Sequence, residues 1–339
     1  MPIPNRLLTK IGTKRHLGKI PRILKELKLH TVCQEARCPN IGECFERGTA
    51  TFLILGNLCT RDCRFCGIKK AAGSLLNLDR KEPERVARTV KQLGLRHVVV
   101  TSVTRDDLPE GGAEHFAQTI REIRKLTPEV SIEVLIPDFS GNPEALKLVI
   151  KEKPEVINHN IEVVERLYPD FRPQADYRRS LSVIRKIKEL APGIFSKSGL
   201  MLGVGEEEKE VLAALKDLRK AGGEILTLGQ YFQPTGRQLA VRKYLTPEAF
   251  ASFQREAESL GFLFVAAGSF VRSSYRAREA YQKAVSRCSH LAKRGKEIKI
   301  TTKSTKKKIK RQKEATTGEH RKRNKINPKF CRGRACPSL

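Results

Sequence analysis

The sequence predicts an α/β fold built on a parallel sheet, on three observations. Six short runs rich in aliphatic and β-branched residues alternate with amphipathic helical patterns. A crossover helix is the usual way to return a chain to the same end of a sheet, so such alternation implies parallel strands. The runs at 98–100 and 132–136 are almost continuously apolar, as in strands covered on both faces. Polar residues gather at the ends of the runs, where parallel α/β proteins carry their ligand-binding loops. An open doubly wound sheet and a partial barrel both fit this periodicity.

In chain order, the candidate strands are "TFLIL" (51–55), "HVVVTSV" (97–103), "SIEVLIP" (131–137), "EVINHNI" (155–161), "KSGLMLGV" (197–204) and "EILTLGQY" (224–231). Helical periodicity covers about 82–94, 113–126, 143–153, 175–190 and 206–221, with a short helical link from Glu162 to Tyr168. A further helix at about 247–260 starts with Pro247 in its first turn, where the missing N–H costs nothing. It is followed by the apolar "FLFVAAGSF" and a last helix in "SSYRAREAYQKAV". Three divisions result: an extension at 1–50, a body at 51–285 and a tail at 286–339.

The 339 residues carry a net charge of +29, unevenly spread. From Ser286 onward there are 19 Lys and Arg against three acidic residues, so this tail holds +16 and the rest +13. The tail is highly charged and poor in aromatics, too weakly hydrophobic to offset its ordering entropy, and is expected to be disordered. Its charge suits nonspecific contact with polyanions, without a stacking platform for base recognition. No run of about 20 apolar residues is present, so no membrane span is expected. The basic N-terminus lacks an apolar core and a small-residue cleavage site, and it is short and serine-free for an import signal, which places the protein in the cytoplasm.

Six of the nine cysteines fall between Cys33 and Cys66. In a reducing compartment such clusters are ligands or catalysts more often than disulfides. Cys59-x3-Cys63-x2-Cys66 directly follows the first strand. Three thiolates on a short turn can hold three irons of a [4Fe–4S] cluster and leave the fourth iron to a non-protein ligand. Structural zinc closes its shell with four Cys or His ligands, and the nearest downstream histidine, His97, sits on an apolar strand. Three thiols at this spacing suit a redox disulfide poorly.

The x3–x2 spacing resembles that of the radical S-adenosylmethionine (SAM) enzymes. The second triad, Cys33-x4-Cys38-x5-Cys44, narrows the resemblance, together with "VVVTSVTRDDLPEGGAEHFAQTI", "IEVLIPDF", "NHNIEVVERLYPDFRPQADYRRSL", "KSGLMLGVGE", "ILTLGQYFQPT" and "VRSSY". From about Leu29 to Ala284 the chain resembles the lipoyl synthase family. That resemblance implies a partial (β/α)6 barrel of the radical SAM type with N- and C-terminal extensions. It implies two [4Fe–4S] clusters and SAM: one cluster on Cys59, Cys63 and Cys66 that binds SAM, and an auxiliary one on Cys33, Cys38, Cys44 and the serine hydroxyl of Ser274. A hydroxyl is a hard ligand on a soft centre and hence a labile one, which suits a cluster whose sulfur is given up.

The implied reaction is sulfur insertion at C6 and C8 of a protein-bound octanoyl-lysine. The implied partners are lipoyl domains of 2-oxoacid dehydrogenase complexes and the glycine-cleavage H protein, with ferredoxin or flavodoxin as electron donor. No general base is assigned, because a radical abstracts the hydrogens. Gly111 and Gly112 before a helix, and Asn158, Asn160 and Glu162, are expected SAM contacts. Arg172, Gln174, Lys197 and Arg272 are candidates for SAM or substrate contact, with ordinary ion pairing as the alternative. Taken alone, Ser273 and Ser274 read as a helix N-cap; with the resemblance, Ser274 is the ligand and Ser273 the cap. Two departures from the family pattern stand out: "GRQLAVRKYLTP" after "QPT" in place of a His-Leu-Pro run, and Arg276 in place of a histidine. The rival reading is a radical SAM enzyme acting on RNA, with the tail as its grip. Cys331 and Cys336 make at most half a metal site, and neither reading assigns these two or Cys288 a role.

Overall fold

A computed structural model of the chain describes residues 3–5, 7–8, 20–36, 38–46, 50–71 and 78–290. Two units separate at Val285/Ser286. Of the second unit, residues 286–290 are described; they are helical, and Cys288 among them is exposed. The expectation of a disordered tail, with Cys331 and Cys336, lies outside the described residues.

The first unit opens with α1 (Ile20–Glu26), a two-residue β1 (His30–Thr31), α2 (Val32–Glu35) and α3 (Ile41–Glu46). The repeating part follows: β2 (Thr51–Ile54), a small parallel pair β3 (Leu58–Cys59) and β4 (Lys69–Lys70), α4 (Glu82–Gln92), β5 (His97–Ser102), α5 (Ala113–Leu126), β6 (Ser131–Leu135), α6 (Pro143–Lys151) and β7 (Val156–Asn158). After the short α7 (Tyr168–Phe171) come α8 (Tyr177–Leu190), β8 (Phe195–Leu202), α9 (Glu208–Lys220), β9 (Ile225–Gln230), α10 (Pro247–Ser259) and β10 (Phe264–Gly268). A last helix begins at residue 277. Local chemistry starts several of these helices. Asn142 accepts from the Glu144 amide, Asp176 from the Arg179 amide and Thr246 from the Ala249 amide, each satisfying a donor the helix leaves unpaired.

Eight strands form one sheet in the order β1-β2-β5-β6-β7-β8-β9-β10; β1 is antiparallel to β2 and every other pair is parallel. Its end strands, β1 and β10, do not pair with each other. One cavity touches Leu53, Thr101, Leu135, Gly199, Thr227 and Gly229 on five strands, so the sheet curls around it as a partial barrel. The register explains this alignment. Leu53 pairs with Thr101, Thr101 with Leu135, Gly199 with Thr227, and side chains in register point to one face. Strand 155–161 proves shorter than its apolar run, ending at Asn158, and "FLFVAAGSF" supplies the additional strand β10.

Candidate functional site

The Cys59–Cys66 turn is held on every side by backbone bonds. Ala71 N–H donates to Cys59 O (2.8 Å), Cys66 N–H to Cys63 O (3.0 Å), Arg64 N–H to Phe171 O (2.9 Å) and Leu239 N–H to Arg64 O (3.0 Å). The Thr104 amide points at Cys59 Sγ, 3.4 Å away. Arg61, buried within the turn, donates to Asp106 (2.7 and 2.9 Å), to Asp138 (2.6 Å) and to Ser140. Asp138 has no exposed side-chain surface, and Arg179 reaches its other oxygen at 2.7 Å. Burial alone would raise its pKa; the two guanidiniums hold it well below the usual carboxylate range.

Of the other triad, Cys33 is on α2 and Cys44 on α3, with Cys38 in the link between them. Thr31 caps α2, and bonds from Cys38 N–H to Cys33 O (3.0 Å) and Cys44 N–H to Asn40 O (2.9 Å) carry the chain from one cysteine to the next. Asn40 Nδ2 donates to Phe270 O at 2.6 Å, and Tyr275 Oη donates to Glu43 Oε1 at 2.9 Å. These contacts bring the Phe270–Tyr275 turn, 230 residues away in sequence, beside the cysteines. Ser273 Oγ accepts from Asn160 Nδ2 at 2.5 Å, and the last helix begins only at residue 277, too far along for Ser273 to cap it. Ser274 lines the cavity.

That cavity, of about 970 Å³, is bordered by Cys59, Cys63 and Cys66, by Cys33 and Cys38, and by Ser273 and Ser274. Its volume is at the upper end for a small-molecule site. Several buried polar atoms at its wall lack a protein partner: His159 Nε2, Asn160 Oδ1 and Arg172 Nε. Buried polar groups are nearly always bonded, so this arrangement fits a polar ligand.

The donor set fits iron–sulfur clusters better than a single ion. Cys33, Cys38, Cys59, Cys63 and Cys66 carry unbridged thiols. Among the described residues no three His, Cys, Asp or Glu side chains converge on a point that could hold one ion. Zinc at about 2.3 Å from each sulfur would need thiols within about 4 Å of one another, whereas a cluster spreads them over separate irons. Burial pushes the Cys33 and Cys66 thiols up to about 11, so thiolate there requires a positive centre. Each triad also has a guanidinium close by that forms no ion pair with a described carboxylate. Arg172 is near Cys63, and Arg272, stacked over Phe232 at 5.3 Å, is near Cys38. Such cations suit an anionic cluster.

The remaining expected contacts divide. Asn160, Glu162, Arg172 and Arg272 line the cavity. Glu162 sits at a φ of 65°, strained for a residue with a Cβ, and burial pushes its carboxyl up against the lowering effect of Arg172. Asn158 and Lys197 do not reach the cavity wall: Lys197 Nζ bonds Glu133 Oε1 at 2.7 Å inside the barrel, and Asn158 Nδ2 faces the same oxygen. Gly111 and Gly112 also lie off the wall. Their φ values of 62° and 86° make the turn into α5, packed on Phe139 and Leu55. Gln174 accepts from the Asp62 amide at 3.0 Å and so holds the cysteine turn. Sequence reasoning passed over two residues. His159 donates from Nδ1 to Ile136 O and is kept neutral by burial and by Arg172, its pKa lowered to about 4. Arg61 carries the ion-pair network. The signal for His159 was its place inside "NHNIE"; for Arg61, a charge between two cysteines.

The profile of the Radical SAM superfamily matches residues 53–218. The chain is 55% identical over 261 residues to the lipoyl synthase of Caldanaerobacter subterraneus subsp. tengcongensis, covering 77% of this chain and 91% of that protein. It is 49% identical over 280 residues to the lipoyl synthase of Alkaliphilus metalliredigens, covering 83% and 96%. In fold it is similar to the crystal structure of Streptococcus suis SuiB bound to precursor peptide SuiA, with a TM-score of 0.51 at 12% identity, over 69% of this chain and 53% of that one.

Proposed function

The chain belongs to the lipoyl synthase family of radical SAM enzymes, and from that premise we infer how its own residues serve sulfur insertion. The enzyme is a sulfurtransferase that converts protein-bound N6-octanoyl-lysine to N6-lipoyl-lysine. The observation that carries this reading is the single cavity bordered by thiols of both triads and by Ser274.

Cys59, Cys63 and Cys66 would hold the cluster that binds SAM; Cys33, Cys38, Cys44 and Ser274 would hold the auxiliary one. When bound, these groups supply a 5′-deoxyadenosyl radical for hydrogen abstraction and the sulfur for C6 and C8. Asn160, Glu162 and Arg172 orient the polar parts of SAM, and His159 Nε2 offers a neutral acceptor beside them. Asn158, Gly111 and Gly112 take no part in this wall: Asn158 meets Glu133, and the glycines pack on Phe139 and Leu55. Apolar residues of the lining, among them Leu53, Leu135, Leu200 and Phe232, take the octanoyl chain and exclude water from the radical. No side chain serves as a general base.

The enzyme acts on lipoyl-domain proteins. We assign as carriers the lipoyl domains of 2-oxoacid dehydrogenase complexes and the glycine-cleavage H protein, with ferredoxin or flavodoxin as electron donor. A +13 body attracts acidic partners of this kind and speeds encounter. Among the described residues no helix is long and apolar enough to cross a membrane. Unbridged cysteines suit the reducing cytoplasm, where we place the reaction. The test is anaerobic incubation of reconstituted protein with SAM, dithionite and an octanoylated lysyl peptide. The peptide should gain two sulfurs and lose two hydrogens by mass; an unchanged peptide alongside SAM cleavage would overturn the assignment.

A further inference from the structure

We propose that Asn40, Glu43 and Tyr275 are positioning residues that clasp the Ser274 turn onto the Cys38–Cys44 segment and so decide whether the hydroxyl reaches the auxiliary cluster. The proposal rests on the reading of Ser274 as a ligand. Ser274 lies 230 residues beyond Cys44, so nothing local places it there; only tertiary contacts can.

Two of those contacts flank it. Asn40, 1% exposed, donates to Phe270 O at 2.6 Å, and Tyr275 Oη donates to Glu43 Oε1 at 2.9 Å. Both anchors on the cysteine side sit within four residues of Cys44 or two of Cys38. Between the anchors the turn is closed by its own bonds, Tyr275 N–H to Arg272 O (3.0 Å) and Ala277 N–H to Ser274 O (3.3 Å), which tie Ser274 to the anchored residues. Ser273 is committed to Asn160, whereas no protein partner holds the Ser274 hydroxyl among the described residues. A weak oxygen ligand on a labile cluster gains most from being held in place, because lost positioning directly becomes lost occupancy.

The experiment uses the full chain, reconstituted anaerobically, and follows iron release to a chelator together with Mössbauer spectra. In Asn40→Ala/Tyr275→Phe, about half of the iron should be released about tenfold faster, the scale expected for losing such hydrogen bonds. The other half, and 5′-deoxyadenosine formation, should match wild type. Glu43→Gln keeps an oxygen acceptor for Tyr275 and should release iron at the wild-type rate. In a Ser274→Ala background the double substitution should add no further acceleration, since the clasp acts through that hydroxyl. Tyr275→Phe alone, which removes one oxygen, guards against misfolding, and the melting temperature of the metal-free protein checks it. Wild-type release in the double variant overturns the clasp while leaving the serine reading intact. Wild-type release and spectra in Ser274→Ala overturn the serine reading and the clasp with it. Further acceleration in the Ser274→Ala background overturns the clasp alone.

Discussion

Lys197 Nζ lies 2.7 Å from Glu133 Oε1, across β7 in the barrel interior, and neither side chain is more than 1% exposed. Each sits two residues before a cavity-lining residue of its own strand, Leu135 and Gly199, and so faces the same concave side one step further in. Lysine favours the reversal of its usual place in water only because a carboxylate meets it there. His97 Nε2 stands 3.8 Å from the other Glu133 oxygen, and Lys197 and His97 together keep that carboxyl ionised below its ordinary range despite burial.

Removing one member should therefore cost far more than removing both. Glu133→Gln is expected to destabilise by roughly 3–5 kcal/mol, because it leaves a buried ammonium without its counter-charge. Glu133→Met with Lys197→Met should recover most of that loss. Urea unfolding of the three proteins checks it; equal stability of the single and double variants would show that the pair matters little.

Acid should weaken the fold in a window set by His159. Its folded pKa of about 4 lies below the ordinary 6.5, so the unfolded chain binds the proton first. Its contribution is complete above pH 6.5 and is lost as pH falls toward about 4, by roughly 3 kcal/mol at most. Asp138 is also depressed, and its contribution persists through that window and fades only at lower pH. In His159→Gln the slope of stability between pH 6.5 and 4 should flatten; an unchanged slope would assign the acid sensitivity elsewhere.

Gly112 combines a φ of 86° with a position where a Cβ would run into Leu55 Cδ1. Gly112→Ala should lower stability by about 2 kcal/mol from backbone strain and overpacking. Denaturant midpoints of the metal-free protein measure this without involving any ligand, and a neutral result would return the glycine to a role in cofactor approach.

The two triads should be separable. Cys33→Ala and Cys59→Ala should each retain about four of the roughly eight irons expected for two [4Fe–4S] clusters. Only Cys33→Ala should still cleave SAM. Iron and sulfide analysis with quantified 5′-deoxyadenosine reads both, and loss of all iron in either variant would mean a single shared centre.

The six strands and the helices between them were legible in the sequence because each is a run of local chemistry. Apolar continuity marks 97–102 and 131–135, a proline or cap residue marks the start of Pro143–Lys151 and Pro247–Ser259, and the alternation itself dictates parallel pairing. β1 was invisible because two residues carry no period, and β10 because "FVAAG" is too small and mixed to tell a strand from a loop. Of the polar residues picked out near the strand ends, Asn160 and Glu162 border the cavity while Asn158 and Lys197 turn inward to Glu133. Adjacent letters cannot distinguish these fates.

By itself, then, the amino-acid order determined the class of chemistry, since the x3–x2 and x4–x5 spacings and the motifs around them are short-range facts about where thiols can sit. Tertiary structure decided which groups meet. It set Ser273 against Asn160 and Ser274 at the cavity, buried Lys197 on Glu133, and turned Gly111 and Gly112 into a packed corner. The physical reason is that facing and meeting depend on strand register and on contacts between segments from 28 to 113 residues apart, and neither is encoded in any local stretch of chain.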